Sequence, residues 1–286
     1  MKSLKCDLNK SIINIGFMGA VLITGVLCFT SFAYVDPTTE KTYSVFEALF
    51  TLDRDFINEH YEFSSILIFR GAMSGYIPMF LPIIVAFPFM MSFCAERNNG
   101  LMRFTITRIG KYKYYFSKFF ASLISGGLAV LLGVLFFGVI SAIFFPNIES
   151  YNIPADELNY MLPNNLPVTV FKILGSAFVY GAISTLPAFL LSSFCKNPYI
   201  ITCVPFLFVY IWNTALDKIA NNAFFNENME LYDKITPFKP NALANLMYVT
   251  EIDKSLKITI VFNLAYLLVI LLAFIMIMNK RTDKGC

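Results

Sequence analysis

Six long apolar runs, each closed off by polar or charged residues, set the plan of this chain: residues 12–34, 76–93, 119–145, 168–195, 199–216 and 258–278. Each approaches or exceeds the ~20 residues with which a helix crosses ~30 Å of hydrocarbon. In lipid only helices and closed barrels satisfy their own backbone groups, and the sequence lacks the short alternating strands of a barrel. The pattern predicts an all-α membrane protein, a single transmembrane domain over residues 1–286 with six transmembrane helices. Pro78, Pro82 and Pro88 fall in the second run, where each removes a backbone hydrogen bond and tends to kink the helix. Pro187 and Pro205 interrupt the fourth and fifth runs in the same way.

The polar stretches between the runs differ in kind. Residues 35–75 are acidic, with Glu40, Glu47, Asp53, Asp55, Glu59 and Glu62. Residues 146–167 are proline-rich and read as an extended loop. Residues 217–257 are longer and hold Asn241-Ala-Leu-Ala-Asn-Leu-Met-Tyr248, the pattern of a short interfacial helix. All three read as solvated connections. The stretch 94–118 is different: Arg97, Arg103, Arg108, Lys111, Lys113 and Lys118 stand there against a single acid, Glu96.

Charge then fixes an orientation. With both termini and the 94–118 loop on one side, thirteen Lys and Arg there face three acids, a net of +10; the other side carries nine against sixteen, a net of −7. The positive-inside bias places the basic side, and both termini, in the cytoplasm. Composition agrees with a membrane location, because only 14% of residues are charged where a soluble domain carries ~25%. The first run has a basic start and the triplet Ser31-Phe-Ala33. It is nevertheless longer than the ~7–15 residue core of a cleaved signal, so it reads as a retained span. Of the six cysteines, Cys6 and Cys286 lie in the tails, Cys94 and Cys195 at inner span ends, and Cys28 and Cys203 inside spans. None falls in an outer segment, so they read as fillers or reduced thiols.

Several chemistries are unsupported. The only histidine is His60, which excludes a zinc site built on two histidines, and no metal site is expected. There is no Gly-x-Ser-x-Gly elbow for a serine hydrolase. Gly110-Lys111 is followed by Tyr112 and preceded at the required spacing by Thr105, so the phosphate loop of an ATPase is missing. Ile124-Ser-Gly-Gly-Leu128 lies inside the third run, where small residues favour close helix packing. The six runs hold no Asp or Glu, and a proton-coupled carrier would need such a group.

The 94–118 loop carries the functional reading. Asn98-Asn-Gly100 breaks the second helix after Glu96, and Thr107-Arg-Ile-Gly110 is a second break. Between them Leu101, Met102, Phe104 and Ile106 are interleaved with Arg103 and Arg108, an apolar knob with a basic rim suited to a partner's groove. Tyr112, Tyr114, Tyr115 and Phe116 then lead into the third run at interface depth, and Lys118 marks its inner edge.

Phe93-Cys-Ala-Glu96, Gly100, Thr107-Arg108, Lys111-Tyr112 to Tyr115 and Lys118, together with the six-span plan, resemble the membrane subunit of type-2 ABC transporters, the ABC exporter permease family. The resemblance implies a cytoplasmic coupling helix over about residues 98–105, docked in a cleft of a separate ATP-binding subunit. Glu96, Asn98, Gly100, Leu101, Arg103, Phe104, Arg108 and Lys118 would be its coupling residues, and the proline-bent second span a lever above it. ATP and Mg²⁺ are expected on the ATPase subunit, with no cofactor on this chain and no catalysis by it alone. Further implied partners are a second permease subunit, identical or paralogous, and the lipid bilayer; nucleic acid is not expected. The charge-poor, Phe-, Met- and Tyr-rich spans favour an amphipathic or lipophilic cargo such as a drug, an antimicrobial peptide or a lipid-like compound. The Lys, Asn, Ile and Phe bias points to a bacterial cytoplasmic membrane. The competing reading is a non-transporting immunity or regulatory subunit, whose acidic segment 35–75 binds a cationic peptide or a lipid.

Overall fold

The structure, a computed structural model, describes residues 2–36, 41–151, 153–162, 164–195, 197–248 and 254–283. Glu40 and Cys286 lie outside the described residues. The protein is mostly helical. Four helices among the described residues are long and apolar enough to cross a membrane, and two bent helix pairs bring the number to as many as six.

The chain opens with α1 (Lys2–Ile12) and α2 (Ile15–Cys28), which meet at 57°. The apolar run 12–34 is therefore not one straight helix. Asn14 causes the break: its Oδ1 accepts from Phe17 N at 2.8 Å, an N-cap for α2, and its amide donates to Lys10 O at 2.9 Å and to Pro88 O at 2.8 Å. A side chain that satisfies the free backbone groups of two helix ends makes the bend a stable feature.

After α2 the chain leaves the helical layer. Strands β1 (Phe32–Val35) and β2 (Thr42–Ser44) pair antiparallel, a small sheet that the apolar pattern does not announce. They are followed by α3 (Val45–Thr51), α4 (Arg54–Glu59), a 3-10 turn over Tyr61–Phe63 and α5 (Ser65–Arg70). Ser44 and Glu47 form a reciprocal capping box at the start of α3. Hydrogen bonds from the Ser44 backbone and hydroxyl hold the Glu47 carboxyl below its ordinary range. Residues 35–75 were expected as a solvated connection; the described ones, 35–36 and 41–75, instead belong to a folded cap. Val45, Ala48, Phe63, Ile68 and Phe69 are buried in one cluster with Val134 and Phe137. Tyr34, Phe56, His60 and Phe63 nest together with ring centroids 4.3 to 6.5 Å apart. Apolar area buried in this way outweighs the solvation of the acidic residues around it.

The second apolar run is also divided. It forms α6 (Ile77–Ile84) and α7 (Phe87–Asn98), and the path bends by 52° between Ile77–Met90 and Ser92–Asn98. Pro78 and Pro88 sit in the first turns of α6 and α7, where a missing N–H costs nothing, and Pro82 lies inside α6. Pro88 has no N–H to offer Ile84 O, so that hydrogen bond is missing where α6 gives way to α7.

Next come α8 (Leu101–Ile109) and α9 (Lys111–Phe144). At 34 residues, α9 is about 51 Å long and starts eight residues before the apolar run. It is the hub on which α1, α2, α5 and α7 pack. A 3-10 turn over Ile148–Ser150 and α10 (Ala155–Met161) replace the extended loop expected there. α10 joins the cap through the Arg70 guanidinium, which donates to Met161 O.

The run 168–195 becomes α11 (Leu166–Ser184) and α12 (Leu186–Phe194), parted at Thr185 beside Pro187. α11 packs closely on α9: a Cβ on Gly127 would stand 2.8 Å from Phe178 O, in keeping with the small-residue reading of that stretch. α13 (Pro198–Phe225) extends nine residues past its apolar run, and α15 (Lys254–Asp283) overruns its own at both ends. Between them lie α14 (Met229–Ile235) and 3-10 segments over Thr236–Phe238 and Pro240–Tyr248. The last of these, expected as a short interfacial helix, is a 3-10 segment that packs on α11, with Ala242, Leu243 and Ala244 buried.

Candidate functional site

α8 is set apart by two glycines. Gly100 has φ +70° and Gly110 φ +89°, and a Cβ at either would meet nothing within 4 Å. Space is therefore not what calls for glycine; the backbone is, since an L side chain is strained at such angles. α7 persists through Asn98, so the helix between the glycines covers Leu101–Ile109, beginning three residues later than expected.

Its nine residues divide by helical spacing. Met102, Ile106 and Ile109 fall on one face and pack on the cluster of Phe93, Tyr114, Tyr115, Phe119 and Phe274. Leu101 and Phe104 point the other way, 51% and 75% exposed, with Arg103 and Arg108 exposed beside them. Asn98, at the end of α7, is exposed as well. Of the apolar residues read as a knob, the fold thus keeps Leu101 and Phe104 outside and uses Met102 and Ile106 as the seat. Tyr114 and Tyr115 are core residues, whereas Tyr112 and Phe116 are exposed.

Glu96 and Lys118 are placed differently from the other coupling candidates. Both are buried, at 7% and 6% exposure, in a cluster of four charges behind α8. Lys118 Nζ lies 2.6 Å from Glu96 Oε2 and 2.8 Å from Asp7 Oδ1. Lys10 Nζ donates to Glu96 Oε1 at 2.8 Å. The Ser117 hydroxyl donates to Asp7 Oδ2, and the Tyr114 hydroxyl to Glu96 Oε2 at 3.4 Å. The Ser3 and Ser117 hydroxyls are 3.2 Å apart. Two cations and two carboxylates leave no net charge, which is what allows ionised groups to stay buried. The cluster joins α1, the end of α7 and the start of α9. Both ends of α8 are thereby fastened to each other and to the amino-terminal helix.

A second fastening runs from Arg97. Its Nη1 donates to Cys195 O at 2.8 Å and to Ser192 O, free carbonyls at the end of α12 that favour a cation. From the sequence Arg97 stood out only as one of the six cations of the 94–118 stretch, and Asp7 only as one of three acids on a side with thirteen cations. Among the described residues no group of three His, Cys, Asp or Glu could hold a metal ion. The five described cysteines are free thiols.

Comparison of the chain with protein-family models, with curated proteins and with solved structures finds no match.

Proposed function

We propose that this chain is the membrane subunit of an ATP-driven exporter of the type-2 ABC permease kind. In this reading six spans cross a bacterial cytoplasmic membrane, with both termini and α8 on the cytoplasmic side. A separate subunit binds ATP and Mg²⁺, and two permease subunits form the pathway for an amphipathic or lipophilic cargo. The observation that supports it is α8 itself. A nine-residue helix held between two positive-φ glycines presents two large exposed apolar side chains and a basic rim. Exposed Leu101 and Phe104 flanked by Arg103 and Arg108 suit the apolar core and polar rim of a protein contact. Behind it the Glu96–Lys118 cluster stiffens the seat, so a force on α8 reaches α7, α9 and α1 together. Glu96 and Lys118 then act as positioning residues, and Leu101, Phe104, Arg103 and Arg108 as the contact.

Co-purification tests this reading. The tagged chain should bring down an ATPase carrying a phosphate loop, and Leu101→Asp with Phe104→Asp should release it while the variant melts like its parent. An ATPase retained by the double variant, or none captured by the parent from its own membranes, refutes it.

A further inference from the structure

α13 and α15 are the least embedded of the long helices. Only 17% and 11% of their most apolar stretches are buried, against 39% for α9 and 56% for α11 with α12. Between them and α12 lie two adjoining hollows of about 130 Å³ and 290 Å³ that share Pro187, Phe208 and Tyr266. Pro187, at the α11–α12 break, and Pro205, inside α13, both face this groove. Along α13 the lining runs from Val204 to Trp212, and along α15 from Phe262 to Ile270. Eight residues of helix make about 12 Å, close to one leaflet's half of the ~30 Å hydrocarbon core.

The groove is lined mainly by apolar side chains, with Ser184 and Asn263 among them, and carries charge at one end. At the cap end Lys239 lines it, and Lys239 Nζ lies 2.8 Å from Asp217 Oδ1 and 5.9 Å from the Tyr232 ring centroid. Asp217 Oδ2 accepts from Asn213 Nδ2 at 2.7 Å, while Asn213 Oδ1 is buried and accepts no hydrogen bond within the protein. Trp212 Nε1 donates to Phe238 O at 3.2 Å beside them, an indole in the position such rings take at a membrane surface. A cation that lines the slot and the carboxylate paired with it thus sit at one end of an apolar groove about one leaflet deep.

We propose that this groove is a lipid site, occupied by one acyl chain of a phospholipid from the cap-side leaflet whose headgroup is zwitterionic and carries a primary ammonium. The phosphate faces Lys239. The ammonium, with three N–H donors, faces Asp217, whose side chain is 37% exposed. A quaternary ammonium has no N–H to give, and a purely anionic headgroup would meet Asp217. The site depends on the membrane location alone and stands whether or not an ATPase docks on α8.

The full-length chain, purified in detergent, tests it by native mass spectrometry and by melting in micelles doped with dioleoyl phosphatidylethanolamine, phosphatidylcholine or phosphatidylglycerol. One phosphatidylethanolamine should be retained per chain, and that lipid should raise the melting midpoint more than the other two. Val204→Trp, which fills the slot, should lower lipid occupancy at least tenfold. Asp217→Asn leaves the slot open and should bring the ethanolamine and choline lipids to within about twofold of each other. Equal effects of all three lipids on the parent overturn the proposal. So does a preference that survives Asp217→Asn, or a dimer whose second copy covers the groove and excludes lipid.

Discussion

Lys118→Met puts the charge cluster to its strongest test. Lys118 is 6% exposed and touches both buried carboxylates, Asp7 at 2.8 Å and Glu96 at 2.6 Å. Its loss turns a neutral cluster into one of net charge −1. Among the described residues Asp7 keeps the Ser117 hydroxyl, and Glu96 keeps Lys10 and the long bond from Tyr114. Removing one partner from a buried pair costs about 3–5 kcal/mol, because the other charge is left without compensation. Lys10 also pairs with Glu96, but its side chain is 49% exposed. Solvent screens that contact, so Lys10→Met should cost at most about 1 kcal/mol. At about 2–4 °C of melting midpoint per kcal/mol for chains of roughly this size, Lys118→Met should melt on the order of 10 °C lower and Lys10→Met only a few degrees lower. The triple variant Asp7→Asn, Glu96→Gln, Lys118→Met removes the charges together and should recover most of the loss. Thermal unfolding of detergent-purified protein reads all three. A Lys118→Met protein that melts within about 2 °C of its parent, or a triple variant worse than the single one, refutes the claim that these charges stabilise one another.

Two further expectations concern α8 and the cap. Gly110→Val forces a side chain into a backbone region that is nearly glycine-only, at a cost of about 1–3 kcal/mol; since nothing lies within 4 Å of the new Cβ, a variant as stable as its parent would show that the chain at α8 does not need this angle. In the cap, the Glu47 carboxyl is held below its ordinary range by the Ser44 hydrogen bonds. Its capping contribution is thus present above its unfolded pKa and lost as pH falls through the lower folded one. Hydrogen exchange at α3 should rise below about pH 4 in the parent, whereas Glu47→Gln should show no such acid limb.

The features legible in the sequence are those written in consecutive residues. Apolar run length gave the long helices, and Asn98-Asn-Gly100 with Gly110 gave both ends of α8 to within a few residues. The cluster was not legible, because Lys118 and Asp7 are 111 positions apart, and no periodicity pairs an ion with its counter-ion. Read locally, Glu96 and Lys118 look like surface charges beside a loop; only the packing of α1 on α9 buries them. The fold of the cap was partly readable. Ser44-Val-Phe-Glu47 has the spacing of a capping box, and Val45 with Ala48 gives the inward side of one turn. The acidic composition of the segment drew attention away from both. Asn14 was a similar missed signal, an amide within three residues of the start of an apolar run that should otherwise have been helical throughout.

The contacts also divide the molecule into parts of unequal stiffness. α1, α7, α8 and the first turns of α9 are joined by charges buried from water and by the aromatic cluster around Tyr115 and Phe119. Arg97 extends that unit to the end of α12. α13 packs on α6, where Phe80 and Phe206 stack at 6.0 Å, and on α12; its Asp217 pairs with Lys239 rather than with that unit, and another side faces the groove. A displacement applied at α8 is therefore shared first among α1, α7, α9 and α12. It reaches α13 and α15 largely through apolar contacts of the same cluster, Ile201 on α13 and Phe274 on α15 among them, which slide at little cost compared with the separation of buried ion pairs. The groove beside α12 is then the place where such a displacement would open or close space, because its walls belong to parts of the protein that are fastened differently. Cysteines at Leu191 and Val204, spin-labelled across the groove, would report that change of width. A distance that stays fixed when α8 is loaded by a bound partner would mean that the two parts move as one.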